Sequence, residues 1–117
     1  MLSEPDRVRL QHMLDAASIA VRAAEGRRRE DLDDEDDLLV HGLVRLVTVV
    51  GEAANGVGEK ARAEISDVPW PEVVNMRHRL VHGYFDINLD ILWATVQTSL
   101  PDLIKRLERA LSVREGA

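Results

Sequence analysis

Eight consecutive positions, Arg77-His78-Arg79-Leu80-Val81-His82-Gly83-Tyr84, hold two arginines, two of the four histidines and the one tyrosine of the chain. Histidine changes charge near neutral pH, so it can take a proton from one oxygen and return it to another. Arginine stays charged and offers paired N–H groups to phosphate oxygens. Together the two types suit cleavage of RNA without a metal. A histidine removes the proton of the ribose 2′-hydroxyl, the hydroxyl attacks the adjacent phosphate, and an arginine offsets the charge that builds on the phosphate oxygens. DNA lacks that hydroxyl and would not react.

Those residues need the right backbone beneath them. On a regular helix His78 and Arg79 share a face with His82, four and three residues later. Arg77 lies five residues before His82, about 140° around at 3.6 residues per turn. Arg77 and His82 therefore converge only if the helix ends at His82, or if two copies bring their segments together. A helix ending at His82 and Gly83 would also set His82 at the negative end of the dipole, where its protonated form is favoured. Plainer roles fit the same residues: a histidine near a helix end often only caps carbonyls, and arginines on short helices often only form surface pairs. His78 and His82 have the spacing of a two-histidine metal pair. They lack the glutamate of His-Glu-x-x-His and any apparent third ligand, so neither metal nor other cofactor is expected.

The elements that must position this segment are helical. Ser3 can cap a first helix over about Glu4 to Glu25, with Pro5 in its first turn. Its stripe is Leu10, Leu14, Ala17, Val21 and Ala24, and Gly26 ends it. A second helix starts near Asp33 or Asp34 and carries two adjoining stripes, Leu39, Leu43, Leu46, Val50, Ala53 and Val57 beside Val40, Val44, Val47 and Ala54. A face that wide is either central in the bundle or shared with another subunit. Gly51 within it costs about 1 kcal/mol against alanine, so a close helix crossing is expected there. Glu59 to Val68 forms a short connector, and Pro71 opens a third helix running to His82, with Gly83 as its cap. The fourth helix begins near Asp86 or Asn88 and runs to about Val113, with Pro101 kinking or splitting it. No strand-like alternation appears. The expected architecture is all-α, a four- to five-helix bundle in one domain spanning residues 1–117.

Composition narrows the rest. The chain has no cysteine, which excludes disulfides and thiolate metal sites. The first residues lack a charged-then-apolar leader pattern, and no apolar run approaches the ~20 residues of a membrane span. A cytoplasmic protein without membrane association is the expectation. A net charge of −6 disfavours a broad nucleic-acid surface, so any RNA contact must be locally basic. The acidic block from Glu30 to Asp37 reads as a solvated loop and helix start, and it should cancel much of the attraction of Arg27-Arg28-Arg29. Trp70 and Trp93 read as core anchors, His12 and His41 as structural or exposed.

The segment Arg77-His78-Arg79-Leu80-Val81-His82 fits the Arg-x4-His motif of HEPN domains, and His82-Gly83-Tyr84 matches the longer Arg-x4-His-x-Tyr form of HepT-like toxins. Val50-Gly51-Glu52-Ala53-Ala54 resembles the Gly-Glu-Ala segment of that family's second long helix. Pro69-Trp70 stands where the family has its pre-motif tryptophan. Tyr84-Phe85-Asp86 followed by Leu89-Asp90-Ile91-Leu92-Trp93 resembles its continuation into the last helix. The likeness runs from about Val40 to Leu107, and more loosely through helix one.

The resemblance implies a HEPN-type bundle that dimerises through its motif helices, forming a cleft with two Arg–His sets. It implies the toxin of a type VII-like toxin–antitoxin pair, a metal-independent ribonuclease with Arg77 and His82 catalytic and RNA as substrate. His78 and Arg79 would contact substrate or nucleotide. The implied partner is a minimal nucleotidyltransferase antitoxin that transfers AMP from ATP to Tyr84, adding bulk and phosphate charge two residues from His82. Glu52, in a mostly apolar helix, is expected either to be buried against an arginine of the motif or to be a partly exposed surface group. The competing readings are a non-catalytic helical partner of a nucleotidyltransferase and a degenerate domain that only dimerises.

Overall fold

The Ser3 hydroxyl accepts the N–H of Asp6 at 3.2 Å and opens helix α1, Glu4–Ala24, with Pro5 in its first turn. Gly26, at φ +74°, takes the left-handed conformation that releases the chain from it. The computed structural model describes residues 2–34, 37–83 and 86–115, with side chains to residue 112. The buried face of α1 is Leu10, Met13, Ala16, Ala17, Ala20 and Ala24. Leu14 and Val21, expected at the centre of its stripe, are only half-buried. Small alanines occupy the centre instead, where α1 meets its main neighbour, helix α2.

Helix α2, Leu38–Asn55, starts four residues or more after the expected Asp33 or Asp34. Two interactions explain the delay. Residues Arg29–Leu32 form a 3₁₀ turn that buries Leu32, and Asp31 there accepts the Arg28 N–H at 2.8 Å. Asp37 then supplies the cap, accepting the Leu39 N–H at 2.7 Å. Glu35 and Asp36 of the acidic block lie outside the described residues. The two apolar stripes merge into one face, with Val40, Leu43, Val47, Val50 and Ala54 buried. With mean hydropathy 1.3 over 18 residues, α2 is long and apolar enough to cross a membrane by length and composition alone, contrary to the expectation of no such run. Here that apolar face packs against the bundle.

Arg62 of helix α3, Glu59–Glu64, closes the exposed end of α2. Its guanidinium donates to the carbonyls of Val57 at 3.0 Å and Ala54 at 2.9 Å, tying α3 to the end of α2 and the turn that follows it. The same guanidinium lies 5.6 Å from the centre of the Trp70 ring. The Trp70 indole N–H donates to the Ile65 carbonyl at 3.0 Å, so the buried ring is also satisfied at its polar edge.

The expected third helix from Pro71 to His82 is broken. It forms two short helices, α4, Trp70–Val74, and α5, Met76–Leu80, separated at Asn75. Val81–His82 then leaves as strand β1 and pairs antiparallel with β2, Asp86–Ile87, in the register Val81 to Ile87 and His82 to Asp86. A two-residue ladder is too short to appear as strand-like alternation in the sequence, and the fold remains all-α around it. The Asn88 N–H donates to the Leu80 carbonyl at 2.7 Å, holding the return of the chain.

The last helix divides as Pro101 predicts. Helix α6, Leu89–Ala94, is capped by the Asn88 side chain on the Ile91 N–H at 3.0 Å. A π-helical turn follows at Thr95–Ser99, where the Leu100 N–H reaches back to Thr95. Helix α7, Leu100–Glu115, then takes over, with Pro101 in its first turn where the missing N–H does no harm. The fold is an all-α bundle around one buried cluster drawn from α1, α2, α4, α5, α6 and α7.

Gly51 sets how closely α2 meets α4. A Cβ there would stand 3.2 Å from the Val74 carbonyl oxygen and 3.3 Å from that of Val73. Gly51→Leu is expected to push α4 outward and lower stability by about 1–3 kcal/mol. Urea denaturation checks this, and an unchanged midpoint would contradict the close crossing.

Candidate active site

Within residues 77–82 the backbone passes from helix α5 to strand β1 between Leu80 and Val81, and that change sorts their side chains. Arg77 and His78 are exposed on α5 and line a pocket of about 270 Å³ with Thr48, Glu52 and Asn55 of α2 and with Asn75. Arg79, also exposed, lines a separate pocket of about 340 Å³ with Glu72, Met76, Thr98 and Asp102. The expected pairing of Arg79 with His78 on one face is therefore not found. In a helix the two are adjacent by 100°, and the narrow α5 turns them toward different neighbours.

His82 does not end a helix. It sits exposed on β1, two residues beyond α5, so the dipole expected to act on it loses its geometric basis. The angle of 140° that separated Arg77 from His82 on a continuous helix no longer applies either. Strand alternation turns Val81 inward and His82 outward. The same break takes His78 and His82 off any common helical face. Gly83 follows at φ +75° and starts the hairpin turn rather than capping a helix. Tyr84 lies outside the described residues.

Glu52 is exposed, the second of the two alternatives for it. Among the described residues it makes no ion pair with Arg77 or Arg79, and neither arginine makes a hydrogen bond or ion pair. Other cations are engaged. Arg29 donates to Asp90 at 2.8 Å and to Asp33 at 2.7 Å, and these hydrogen bonds, Asp90 first, raise its already high pKa. Arg106 binds Asp102 at 2.8 Å and the Asp67 carbonyl at 2.6 Å, and Asp102 raises its pKa likewise. Arg28 pairs with Glu30 at 3.6 Å. The acidic neighbours thus answer two members of the arginine triplet, as their proximity predicts. His12 and His41 are exposed, Trp70 is buried, and Trp93 is half-buried against the core.

Asn75, Asn55 and Thr48 were not singled out by motif reasoning. A signal existed for two of them: Thr48, Glu52 and Asn55 fall at four- and three-residue steps, a polar line on an apolar helix. Asn75 needed the break between α4 and α5 to be known.

The model of the family described as "Ribonuclease HepT-like" matches residues 13–110. The chain belongs to the HepT-like ribonuclease family. A candidate RNase of Caldanaerobacter subterraneus subsp. tengcongensis is 32% identical over 102 residues, covering 87% of this chain and 90% of the relative. A candidate RNase of Methanocaldococcus jannaschii is 31% identical over 71 residues, 61% of this chain and 65% of its own. A Thermococcus cleftensis protein named "Probable ribonuclease HepT" is 30% identical over 67 residues, 57% of this chain and 61% of its own. No solved structure matches.

For this HepT-like chain, Gly83 is the residue that lets His82 precede a tight reversal. Gly83→Ala meets open space but must hold a side chain at φ +75°. A loss of about 1–2 kcal/mol in thermal unfolding is expected. A gain in stability would show that this φ is not required.

Proposed function

We propose that this HepT-like chain cleaves RNA without a metal, His82 acting as general base and acid and Arg77 stabilising the phosphate. The observation that carries the reading is the state of these side chains. Arg77 and His78 stand exposed in one polar pocket, and His82 is exposed on the strand that follows. Among the described residues, no hydrogen bond or ion pair occupies Arg77 or His82, so both remain available to a substrate. His78 contributes to the same pocket as Arg77. Arg79, on the other side of α5, contacts the RNA strand away from the bond that breaks. The reaction is transesterification: the 2′-oxygen loses its proton to His82 and attacks phosphorus, and the 5′-oxygen of the next nucleotide leaves with a proton returned to it.

Two copies pair through their motif segments, bringing two Arg77–His82 sets to one cleft and concentrating positive charge on an acidic protein. The family resemblance supports this pairing, and supports a cognate minimal nucleotidyltransferase that neutralises the toxin by adding AMP to Tyr84. The added phosphate would repel RNA from the neighbouring histidine.

Purified protein with total RNA and excess chelator is expected to cleave. His82→Ala should lower the rate at least about 10²-fold, and Arg77→Ala roughly 10²-fold, with the fold retained by circular dichroism. Full activity in His82→Ala would sink the assignment. In a second experiment the chain is co-expressed with a minimal nucleotidyltransferase and weighed intact. A mass gain of AMP units is expected, absent in Tyr84→Phe; the same gain in that variant would place the modification elsewhere.

A further inference from the structure

The polar line on α2 has no part in the cleavage chemistry, yet it faces Arg77, to which that chemistry is assigned, and its neighbour His78. Thr48, Glu52 and Asn55 occupy one face of α2, and opposite them stand Asn75, Arg77 and His78. Gly51 permits this by letting the carbonyls of Val73 and Val74 approach within van der Waals contact of α2. Several of these polar groups are already engaged. The Thr48 hydroxyl donates to the Val44 carbonyl at 2.8 Å, and the Asn75 amide donates to the Pro71 carbonyl at 2.9 Å. The Glu52 carboxylate and the Asn55 amide have no hydrogen-bond partner among the described residues. A carboxylate beside an arginine that it does not engage is poised for a ligand.

From this arrangement we infer that the pocket reads the base next to the scissile phosphate, and that Glu52 selects guanine. The inference rests on the ribonuclease reading above and names its substrate preference. A carboxylate offers only acceptors. Guanine alone among the four RNA bases presents two adjacent donors, N1–H and the N2 amino group, on its Watson–Crick edge, with the O6 acceptor beside them. Glu52 accepts from both donors, and the Asn55 amide, three residues on along the same face, donates to O6. Uracil sets oxygen acceptors on either side of its single donor, and adenine and cytosine set a ring acceptor beside theirs. Each leaves one carboxylate oxygen facing an acceptor. Single-stranded RNA, with bases free to turn out of the stack, is the form that can present this edge. The phosphate of the same nucleotide then falls to Arg77.

Two measurements test this separately from cleavage itself. Cut sites in total RNA, mapped by end sequencing, should show guanine in excess at one flank of the break, and Glu52→Gln should erase the excess. Binding of guanosine monophosphate should exceed that of inosine monophosphate, which lacks the N2 amino group, by roughly 10- to 150-fold, the loss of one of the two hydrogen bonds to the charged carboxylate. Glu52→Gln should bring the two ligands level. Equal binding of the two by the unaltered protein, or a guanine excess that survives Glu52→Gln, would overturn the inference even if RNA is cleaved. Guanine preference in binding without cleavage would uphold this site and sink the ribonuclease reading instead.

Discussion

One close approach governs the arrangement of this molecule: the crossing of α2 and α4 at Gly51. Two backbone carbonyls occupy the space a side chain would need, at 3.2 and 3.3 Å from the position of a Cβ. Glycine in a helix interior is unfavourable by about 1 kcal/mol relative to alanine, and burial of Val50, Ala54, Val73 and Trp70 around the crossing offsets that. The crossing fixes where α4 ends and therefore where α5 begins. Glu52 then falls on the same rim as Arg77 and His78.

The breaks on either side of α5 are as consequential as the helices. At Asn75 the chain interrupts its helix, and at Val81 it turns extended. Between them only five residues are helical, too few to be stable alone. Met76 and Leu80 hold this segment by burial in the core, leaving its three basic residues on the outside. A rigid long helix would have fixed Arg77 and His82 in divergent directions. A short helix passing into a hairpin removes that constraint, and Gly83 at positive φ supplies the reversal.

Charge is distributed in keeping with this. The chain is acidic overall, and its acidic residues bind arginines at the junctions of elements: Arg29 ties the 3₁₀ turn to α6 through Asp90, and Arg106 ties α7 to the loop before Trp70. Such exposed pairs contribute little each to stability. Their effect is to neutralise Arg28, Arg29 and Arg106, all of which lie away from the motif.

Local chemistry alone determined much of this. Ser3 and Gly26 bound α1 because a hydroxyl cap and a left-handed glycine act within a few residues of themselves. Pro101 divides the last helix because its ring removes a donor wherever it stands. The order Arg77, His82, Tyr84 with Gly51-Glu52 and Trp70 was specific enough to indicate the family. What the sequence could not show is whatever depended on a partner distant along the chain. The start of α2 passed from Asp33 or Asp34 to Leu38 because the core captured Leu32. The α5 helix stopped at Leu80 because Val81 paired with Ile87, six positions on, and periodicity does not register a ladder of two residues. Arg79 parted from His78, and Asn75 joined the pocket, only through the packing of α2 and α7 on opposite sides of one short turn. Caps and prolines are decided by near neighbours; the grouping of side chains into pockets is decided by which surfaces must be buried together.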